Sequence, residues 1–545
     1  MTQSLHFEQP TIYYLLAGIA IAAFVSLAIV PVPGRNGWKF ESVFLLSIGA
    51  VLFACRWPTF VWPGEFNVDE SSLIACALKA TVDWIPWHGF DASTSGPLNC
   101  YILLLPRLFA ADIGYFSARV IGLGLIAGAL CALYYTVKWI YGDSVARLSV
   151  LPPVLLFSLT RTTDFLHYSS EQFPIFLTTV PLAAAAFLAR ETTSKSARLI
   201  ACATAGLFLG CPFLAKLQAA PIALAVLICL AAILIICSPS ARIRKAEIFA
   251  IGAGLIVVPC VVLIILCATG GLTNAIISYF KMTLVFAQSG PPVAPSFFFI
   301  GARDYNYFAI ASFAVILAGG AALYSRIKLT RCEIWALLSA ISWLTASLFA
   351  IYRAHNPFTH YLLFSIIPVS FCVANVIGLL HRAGLGKNHA GWARGLFAAV
   401  FLIPIEFATL TSSLNISPRA IGPTGEDLLA ISRHARPGDR MAVWGWRPDF
   451  YVQTKTIMAT SDPGILPLMV WSRYREYFRK RFISDLQAHS PRVIVDAVRP
   501  GELLFTDRAT QGIESFPQLE SFVRAHYTQA EEVAGLRVFE QKNLR

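Results

Sequence analysis

The pair Asp69-Glu70 places two adjacent carboxylates just after a hydrophobic segment, within Phe66-Asn67-Val68-Asp69-Glu70-Ser71-Ser72. Asn67 is a residue type that caps helix N-termini, and Glu70 follows it at the spacing of a capping box. Asp69 then lies in the first helical turn, where the helix dipole favours its ionised form. An ionised carboxylate in this position can take the proton of a reacting hydroxyl group. The same residue types are also common at helix starts without any chemistry, so a structural role is the alternative.

The two carboxylates are predicted to have different tasks at the candidate catalytic site. Adjacent residues on a helix point about 100° apart, so only one of them can face a reacting centre. We therefore predict that Asp69 is the base. Glu70 is predicted to cap the helix or to orient a partner beside it.

A second group of charged residues lies near the ends of other hydrophobic segments. Charged side chains at membrane depth are costly, which makes them functional candidates. Lys216, Arg161 and Arg353 could neutralise the charge of a departing phosphate group. Arginines at helix ends can instead act as interfacial anchors, and histidines there can simply form hydrogen bonds. The other members of this group are Asp164, His167, Glu171, Lys281, Arg303, Asp304, His355 and His360.

The elements that must position these residues are mostly membrane helices. Of the 545 residues, 56% are hydrophobic and only 14% are charged, and the mean hydropathy is +0.63. Soluble domains are nearer one quarter charged. The net charge of +12 fits basic loops on the cytoplasmic side of a membrane protein, so nucleic-acid binding is not predicted. The twelve cysteines are scattered without the spacing of a zinc site.

Hydrophobic runs of about 20 residues predict membrane-spanning helices. Basic residues fall on one side of these spans, which is therefore predicted to be cytoplasmic. The N-terminus, the Asp69 loop and the segment after residue 411 then face outward, in a multi-pass protein of the cell membrane. The twelve predicted spans are 11–30, 42–61, 113–137, 147–160, 172–189, 199–215, 219–237, 247–267, 306–324, 332–350, 358–380 and 393–411.

The first outer loop, residues 62–112, is predicted to contain two helices at the membrane surface. After Asn67, apolar residues recur at helical spacing, which predicts an amphipathic helix lying in the membrane surface. The stretch Pro97 to Ala110 is too short to span a bilayer and predicts a second interfacial or re-entrant helix.

Charged residues become frequent after residue 411, so the chain divides into a membrane domain, 1–411, and a small outward-facing α/β domain, 412–545. No glycine-rich nucleotide motif occurs in the second domain. Its predicted strands are Arg440–Trp444, Arg492–Ala497 and Val533–Phe539, and its predicted helices are Gly425–His434, Trp471–His489 and Pro517–Ala525.

An ordered set of short motifs resembles the GT-C superfamily of membrane glycosyltransferases, with the protein O-mannosyltransferase and aminoarabinose (lipid A) transferase families as the nearest relatives. Each motif alone is weak, but together they cover roughly residues 60–370 in the family's order. They are Asp69-Glu70, Gly96-Pro97-Leu98-Asn99-Cys100-Tyr101, Tyr115-Phe116-Ser117-Ala118-Arg119, His167-Tyr168-Ser169-Ser170-Glu171, Leu207 to Lys216, and His360-Tyr361-Leu362-Leu363 through Pro368.

The resemblance implies an inverting transfer of a sugar from a polyprenyl-phosphate donor on the outer face, with Asp69 as the base. The acceptor could be a lipid, a glycan or a protein. Some relatives bind a divalent metal ion near the acidic loop, and the carboxylates here would allow one. The residues expected at the donor phosphate are Lys216, Arg161, Arg353 and His360, and the residues expected to support the site are His167, Glu171 and Tyr361.

The sequence also departs from the family pattern. Ser95-Gly96 occupies the place where relatives often have a lysine that is thought to meet the donor phosphate, and His360 stands where an arginine is common. The first span is an extra one.

Two other functions remain as alternatives. One is a lipid or glycan transporter or flippase, and the other is a non-enzymatic subunit of an envelope polysaccharide assembly.

Overall fold

The computed structural model describes residues 10–30, 37–190, 193–324, 327–384, 390–411, 425–469 and 472–542. Twelve helices in these ranges correspond to the twelve predicted spans. They are Pro10–Ile29, Gly37–Val61, Tyr115–Tyr141, Asp143–Leu159, Gln172–Leu188, Lys195–Leu209, Ala220–Cys237, Ala241–Thr269, Arg303–Leu323, Arg331–Arg353, Leu363–Arg382 and Ala390–Thr411.

Ten of the spans found in the described ranges are long and apolar enough to cross a membrane. The other two of the twelve, Asp143–Leu159 and Gln172–Leu188, have 17 residues each. A helix of that length measures about 26 Å, slightly less than the hydrocarbon core of a bilayer. Both carry internal prolines and are largely enclosed by other helices. The chain is thus a multi-pass membrane protein with the predicted order of helices.

Glycine lets two of the membrane helices approach each other closely. A Cβ atom on Gly206 would lie 2.1 Å from the carbonyl oxygen of Ile251, and one on Gly254 would lie 2.3 Å from that of Ala203. Any larger residue would therefore push Lys195–Leu209 away from Ala241–Thr269. The first of these helices ends at Gly210 and is followed by the short helix Pro212–Ala215, which leads directly to Lys216.

The first outer loop contains the predicted helix, here named the Asp69 helix, over Val68–Ala80. It differs from the prediction in its surroundings, because most of its residues are buried in protein. Small side chains such as Ser71 and Ala77 let it pack between Tyr115–Tyr141 and the C-terminal part of the chain. The second predicted stretch forms two short helices, Leu98–Ile102 and Leu105–Phe109, and the latter exposes Leu108 and Phe109.

Further short helices connect the membrane helices. Ala275–Lys281 is a π-helix, a type that is often found at functional sites. The others are Thr163–Leu166, Pro212–Ala215, Leu217–Ala219, Leu272–Asn274, Met282–Ser289, Phe297–Ile300 and Thr359–Leu362.

The C-terminal part contains a five-stranded mixed sheet. Its strands are β1 (Arg440–Trp444), β2 (Ile457–Met458), β3 (Val493–Asp496), β4 (Tyr527–Val533) and β5 (Leu536–Gln541). The order is β2-β1-β3-β5-β4, in which β1 runs parallel to β2 and β3, and β5 runs antiparallel to β3 and β4.

One predicted strand of this sheet was wrong. Val533–Phe539 is not continuous, because Ala534 and Gly535 adopt positive φ angles of 46° and 83° and form a hairpin turn between β4 and β5. The turn was not predicted because its first residue is alanine, whereas an Asn-Gly pair is the usual sequence signal for such a hairpin. The helix predicted over 471–489 begins at Arg475, and residue 471 lies outside the described ranges. The helices here are Gly425–His434, Asp449–Thr454, Leu466–Met469, Arg475–His489, Arg508–Gln511, Ile513–Ser515 and Pro517–His526.

The sheet and its helices, here named the C-terminal unit (residues 425–542), pack directly on the first outer loop. One hydrophobic core contains Leu73 and Ile74 of the Asp69 helix together with Met441 and Phe450 of the C-terminal unit. The predicted domain boundary between residues 411 and 412 lies next to residues 412–424, which are outside the described ranges. The division into domains 1–411 and 412–545 therefore stays a prediction.

Candidate active site

A cavity of about 440 Å³, here named the outer cavity, lies between the membrane helices and the C-terminal unit. Asp69 and Lys216 both line it. One wall comes from the outer loops and helix ends, and the facing wall comes from the C-terminal unit. The first wall includes Asn67, Asp69, Ser93, Thr94, Ser95, Lys216, Met282, Val285, Phe286, Phe358, His360 and Tyr361, and the second includes Trp446, Asp462, Pro463, Gly464, Leu466, Pro467, Leu503 and Leu504.

Asp69 is half-buried at the start of its helix and borders the outer cavity. The Asn67 side chain accepts a hydrogen bond from the backbone N–H of Asp69 at 2.9 Å, which confirms the predicted N-cap. The amide nitrogen of Asn67 donates to Asp164 at 3.0 Å. The cap therefore fixes the position of Asp69 and also joins its helix to the loop that carries Asp164.

Glu70 points into the protein interior and is not among the described residues that line the outer cavity. Both of its oxygens accept hydrogen bonds from Arg119, from Nε at 2.8 Å and from Nη2 at 2.7 Å. The backbone N–H groups of Tyr168 and Phe66 also donate to it, at 3.0 and 3.4 Å. The structure thus separates the two adjacent carboxylates, as helical geometry requires.

Lys216 is buried and borders the outer cavity between two helices. Its ammonium group pairs with Glu171 and donates to the hydroxyl of Ser170 at 2.7 Å. It also lies 5.2 Å from the centre of the Tyr361 ring, a distance typical of a cation–π contact. These contacts hold the cation at one position in the cavity wall.

The loop before Pro97 packs so tightly on the segment before Lys216 that it leaves no room for a side chain at residue 96. The backbone N–H of Gly96 donates to Ala215 at 2.7 Å. A Cβ atom on Gly96 would lie 1.9 Å from the carbonyl oxygen of Leu214. The tight contact therefore gives a steric reason for glycine at residue 96, whereas Ser95 lines the outer cavity.

Glu171 and Asp164 are held in their ionised forms by the cations around them. Burial raises the pKa of Glu171, but Lys216 and His360 outweigh it and lower the pKa below its ordinary value. Burial also raises the pKa of Asp164, and the nearby imidazoles of His360 and His167 more than reverse this effect. Two anionic carboxylates thus lie beside the cavity wall at neutral pH.

Asp164, His167 and His360 form a cluster that could hold a metal ion, since one ligand atom from each lies within 4.8 Å of the others. His360 Nδ1 is 3.5 Å and His167 Nε2 is 3.9 Å from Asp164. Both nitrogens are buried and lack a hydrogen-bond partner in the part of the chain that the structure describes. Two imidazoles and a carboxylate suit zinc and similar divalent ions.

The structure brings together most, but not all, of the residues singled out from the sequence. Lys216, Glu171, His360, Tyr361, His167 and Asp164 lie in one connected group beside Asp69. The described lining of the outer cavity does not include Arg161 or Arg353. The backbone N–H of Arg161 donates to Asp304 at 2.9 Å, and Arg353 is exposed at the end of its helix.

Sequence reasoning missed the second wall of the outer cavity. Trp446 and Asp462 come from the C-terminal unit, more than 370 residues after Asp69 in the chain. No local spacing connects them to the acidic loop. Only the packing of the C-terminal unit on the outer loop brings them to the cavity.

Comparison with known proteins supports the fold. No protein-family model matches this chain, and no curated protein has a significantly similar sequence. ArnT from Cupriavidus metallidurans bound to undecaprenyl phosphate has a TM-score of 0.59 and 12% sequence identity, over 93% of this chain and 98% of that chain. ArnT from the same organism in the apo state has a TM-score of 0.53 and 12% identity, over 92% and 98%.

The oligosaccharyltransferase from Archaeoglobus fulgidus in the apo form is also structurally similar, with a TM-score of 0.46 and 12% identity over 98% of this chain and 74% of that one. At such low identities the comparison shows the fold alone. This chain has the fold of the ArnT structures along nearly its whole length, which confirms the fold that the resemblance implied.

Proposed function

We propose that this protein is an inverting glycosyltransferase that moves a sugar from a polyprenyl-phosphate donor to a hydroxyl group at the outer face of the cell membrane. The observation that carries the proposal is the outer cavity, which brings the half-buried carboxylate of Asp69 and the buried cation of Lys216 to one enclosed space. This transfer needs a base to take the acceptor proton and a cation to neutralise the departing phosphate. It needs little general acid, because a phosphate leaves readily as an anion.

Asp69 acts as the base in this proposal. The acceptor oxygen attacks the anomeric carbon from the face opposite to the phosphate, and the bond from that carbon to the phosphate oxygen breaks. Asp69 takes the hydroxyl proton, and the polyprenyl phosphate leaves with the bonding electron pair. Inversion follows because bond formation and bond breaking occur on opposite faces of the same carbon.

Lys216 and His360 are the groups proposed to meet the donor phosphate, since both line the outer cavity. Glu171 contacts both and holds them in place, with His360 Nε2 at 3.9 Å. A fixed cation stabilises developing negative charge without the cost of reorganising at the moment of reaction. Arg161 and Arg353, which do not border the described cavity, are left out of this part of the proposal.

An apolar groove supports the choice of a lipid-linked donor. A second cavity of about 440 Å³ lies between Lys195–Leu209, Ala220–Cys237 and Ala241–Thr269, and its lining residues are apolar. Phe213, one of them, precedes Lys216 by three residues. A polyprenyl tail in this groove would bring its phosphate towards Lys216. The similar ArnT structure contains undecaprenyl phosphate, which supports the same class of donor.

Asp164, His167 and His360 fit a divalent metal ion by their chemistry and by the two unpartnered imidazole nitrogens in the described cluster. A bound divalent ion would supply additional positive charge beside the donor phosphate. Nδ1 of His360 faces this cluster, while Nε2 of the same ring faces Glu171. One histidine could therefore serve the metal cluster and the Lys216 group together.

The proposed orientation rests on the basic ends of the helices. Arg147 donates to Val30 at 2.8 Å, and Arg394 donates to Ile29 at 3.2 Å, at the end of the bundle away from Asp69. Basic residues favour the cytoplasmic side, so the outer cavity and the C-terminal unit are proposed to face outward. The acceptor then is an extracytoplasmic lipid, glycan or protein.

A donor panel tests this proposal. Purified protein in lipid nanodiscs is incubated with undecaprenyl-phosphate sugars that differ in the sugar, and mass spectrometry follows released undecaprenyl phosphate and sugar products. We expect one donor to be consumed, by transfer to an added acceptor or by slow hydrolysis. Movement of the intact lipid-linked sugar across proteoliposomes without any covalent product would support a flippase instead.

A further inference from the structure

The wall of the outer cavity that faces Asp69 belongs to the C-terminal unit, which is fixed to the outer loop by polar contacts. Arg481 Nη2 donates to Asp91 at 2.8 Å, and the backbone N–H of Asp91 donates to Ser461 at 2.8 Å. Gln453 adds a hydrogen bond to the carbonyl of Pro63 at 2.6 Å. This wall is therefore held at a defined distance from the proposed base.

Asp462 in this wall keeps one oxygen unpaired. The side chain is 4% exposed, and its Oδ2 accepts a hydrogen bond from Arg481 at 2.6 Å. Its Oδ1 is buried and has no partner among the residues that the structure describes. Because a buried acceptor without a donor is unfavourable, a ligand hydroxyl that reaches this oxygen from the cavity would relieve that cost.

Trp446 lines the same wall as Asp462 and is only partly buried. It follows β1 through Gly445, whose φ angle of 145° is one that other residues rarely adopt. Gly464 lies against the tryptophan, with its Cβ position 4.0 Å from Trp446 Cγ. The wall thus combines the largely apolar ring of Trp446 with a carboxylate that accepts hydrogen bonds.

An aromatic ring and a carboxylate on one cavity wall match the two chemical faces of a sugar. A pyranose presents C–H groups on one face, and its hydroxyl groups donate hydrogen bonds at its edge. A peptide needs backbone partners instead, as in the addition of a strand to a sheet edge. Pro463 and Pro467 in this wall have no N–H group to donate, which makes the wall a poor partner for a peptide backbone.

We propose that Trp446 and Asp462 form an acceptor subsite, and that the acceptor hydroxyl belongs to a carbohydrate, either a free glycan or the sugar part of a glycolipid. The proposal rests on the proposed function of the same cavity and names its acceptor class. Trp446 stacks on the apolar face of the sugar, while Asp462 accepts a hydrogen bond from one of its hydroxyls. The reacting hydroxyl then points across the cavity towards Asp69.

The two sources of the carbohydrate can be distinguished at the rim of this wall. Leu503 and Leu504 are each 46% exposed there. A glycolipid would also contact these leucines with its acyl chains. A free glycan would bind without them, so substitution of both leucines by serine weakens binding only in the glycolipid case.

The test measures carbohydrate binding without any donor. Full-length protein in nanodiscs is titrated with a panel of neutral trisaccharides and with lipid A, and saturation-transfer NMR reports which ligand protons contact the protein. We expect at least one member to bind through its pyranose ring protons. Trp446→Ala and Asp462→Asn should each weaken binding by about tenfold or more, and Trp446→Phe should retain part of the affinity.

Asp485→Asn is the matched control for Asp462→Asn, because Asp485 accepts hydrogen bonds from Ser461 at 2.8 Å but does not line the described cavity. It should leave carbohydrate binding unchanged, and thermal denaturation of each variant checks folding. Asp69→Asn should lose transfer while its carbohydrate binding still depends on Trp446 and Asp462, so that loss of transfer and loss of acceptor binding are separate results. The proposal is overturned if no carbohydrate binds, if binding ignores Trp446 and Asp462, or if a Ser/Thr-containing peptide binds through Trp446 instead.

Discussion

Two buried ion pairs lie near the start of the Asp69 helix, and their surroundings differ. In the protein interior, Arg119 uses Nε, Nη1 and Nη2 to donate to Glu70 and to the backbone carbonyls of Thr59, Trp62 and Gly64. At the cavity, Lys216 pairs with Glu171 beside His360, and His360 Nδ1 and His167 Nε2 form no hydrogen bond within the described residues.

This difference separates structural charge from functional charge. A buried pair whose hydrogen bonds are all satisfied has nothing left to offer a ligand, and it fixes one local structure. A buried group that borders a cavity and keeps unpaired polar atoms can change partners when a substrate or ion arrives. The adjacent residues Asp69 and Glu70 thus belong to two different systems, although the sequence presents them as one acidic pair.

The largest expected effect comes from breaking the buried Arg119–Glu70 ion pair. Arg119→Met leaves the Glu70 carboxylate buried without its cation, so the free energy of unfolding should fall by about 3–5 kcal/mol. Thermal denaturation in nanodiscs or detergent measures this loss. Arg353→Met is the matched control, since Arg353 is exposed, and it should change stability by no more than about 0.5 kcal/mol. Equal stability of the two variants would contradict a structural role for the Glu70–Arg119 pair.

Breaking the Lys216–Glu171 ion pair should lower the rate of sugar transfer more than the stability of the protein. Lys216→Met removes the cation proposed to meet the donor phosphate, and the rate of donor consumption should fall by about 10²–10³-fold. The remaining contacts of Glu171 with Ser169, Ser170 and His360 limit the loss of stability. Steady-state assays on protein with verified folding measure the effect. A rate equal to that of Arg353→Met would contradict the assigned role of Lys216.

A smaller effect is expected at the metal-binding cluster. His167→Asn removes one of the three ligands, and the affinity for a divalent ion should fall by about 10- to 100-fold. Titration of chelator-treated protein with zinc and manganese, followed by elemental analysis, measures this change. His355→Asn serves as the control, because His355 lies outside the described cluster. Binding of neither ion to the unmodified protein would remove the metal from the proposal and leave the Lys216 group intact.

The sequence predicted the parts of this fold that rest on local patterns. Hydrophobic runs placed the twelve helices, and the Asn67 cap placed the start of the Asp69 helix at the observed residue. Helical geometry alone assigned different directions to Asp69 and Glu70. The strand β1 and the helix Gly425–His434 were predicted with the bounds that the structure shows.

Features that depend on long-range packing were not predicted. The Asp69 helix was expected at a membrane surface, yet its apolar face is covered by residues 441–458, which no local spacing indicates. The cation at the cavity could not be chosen among Lys216, Arg161 and Arg353 without knowing which helix ends meet. The role of Gly96 was likewise hidden, because its tight contact is with Leu214, more than 100 residues later.

The most direct test of the central claim is the activity of Asp69→Asn on the donor that the wild type consumes. The substitution preserves the size of the side chain and removes the base. The transfer rate should therefore fall by about 10²–10⁴-fold, while the midpoint of thermal denaturation stays unchanged. Asp83→Asn, in the same outer loop but outside the described cavity lining, should remain fully active. Wild-type transfer rates in correctly folded Asp69→Asn would contradict the assignment of Asp69 as the base.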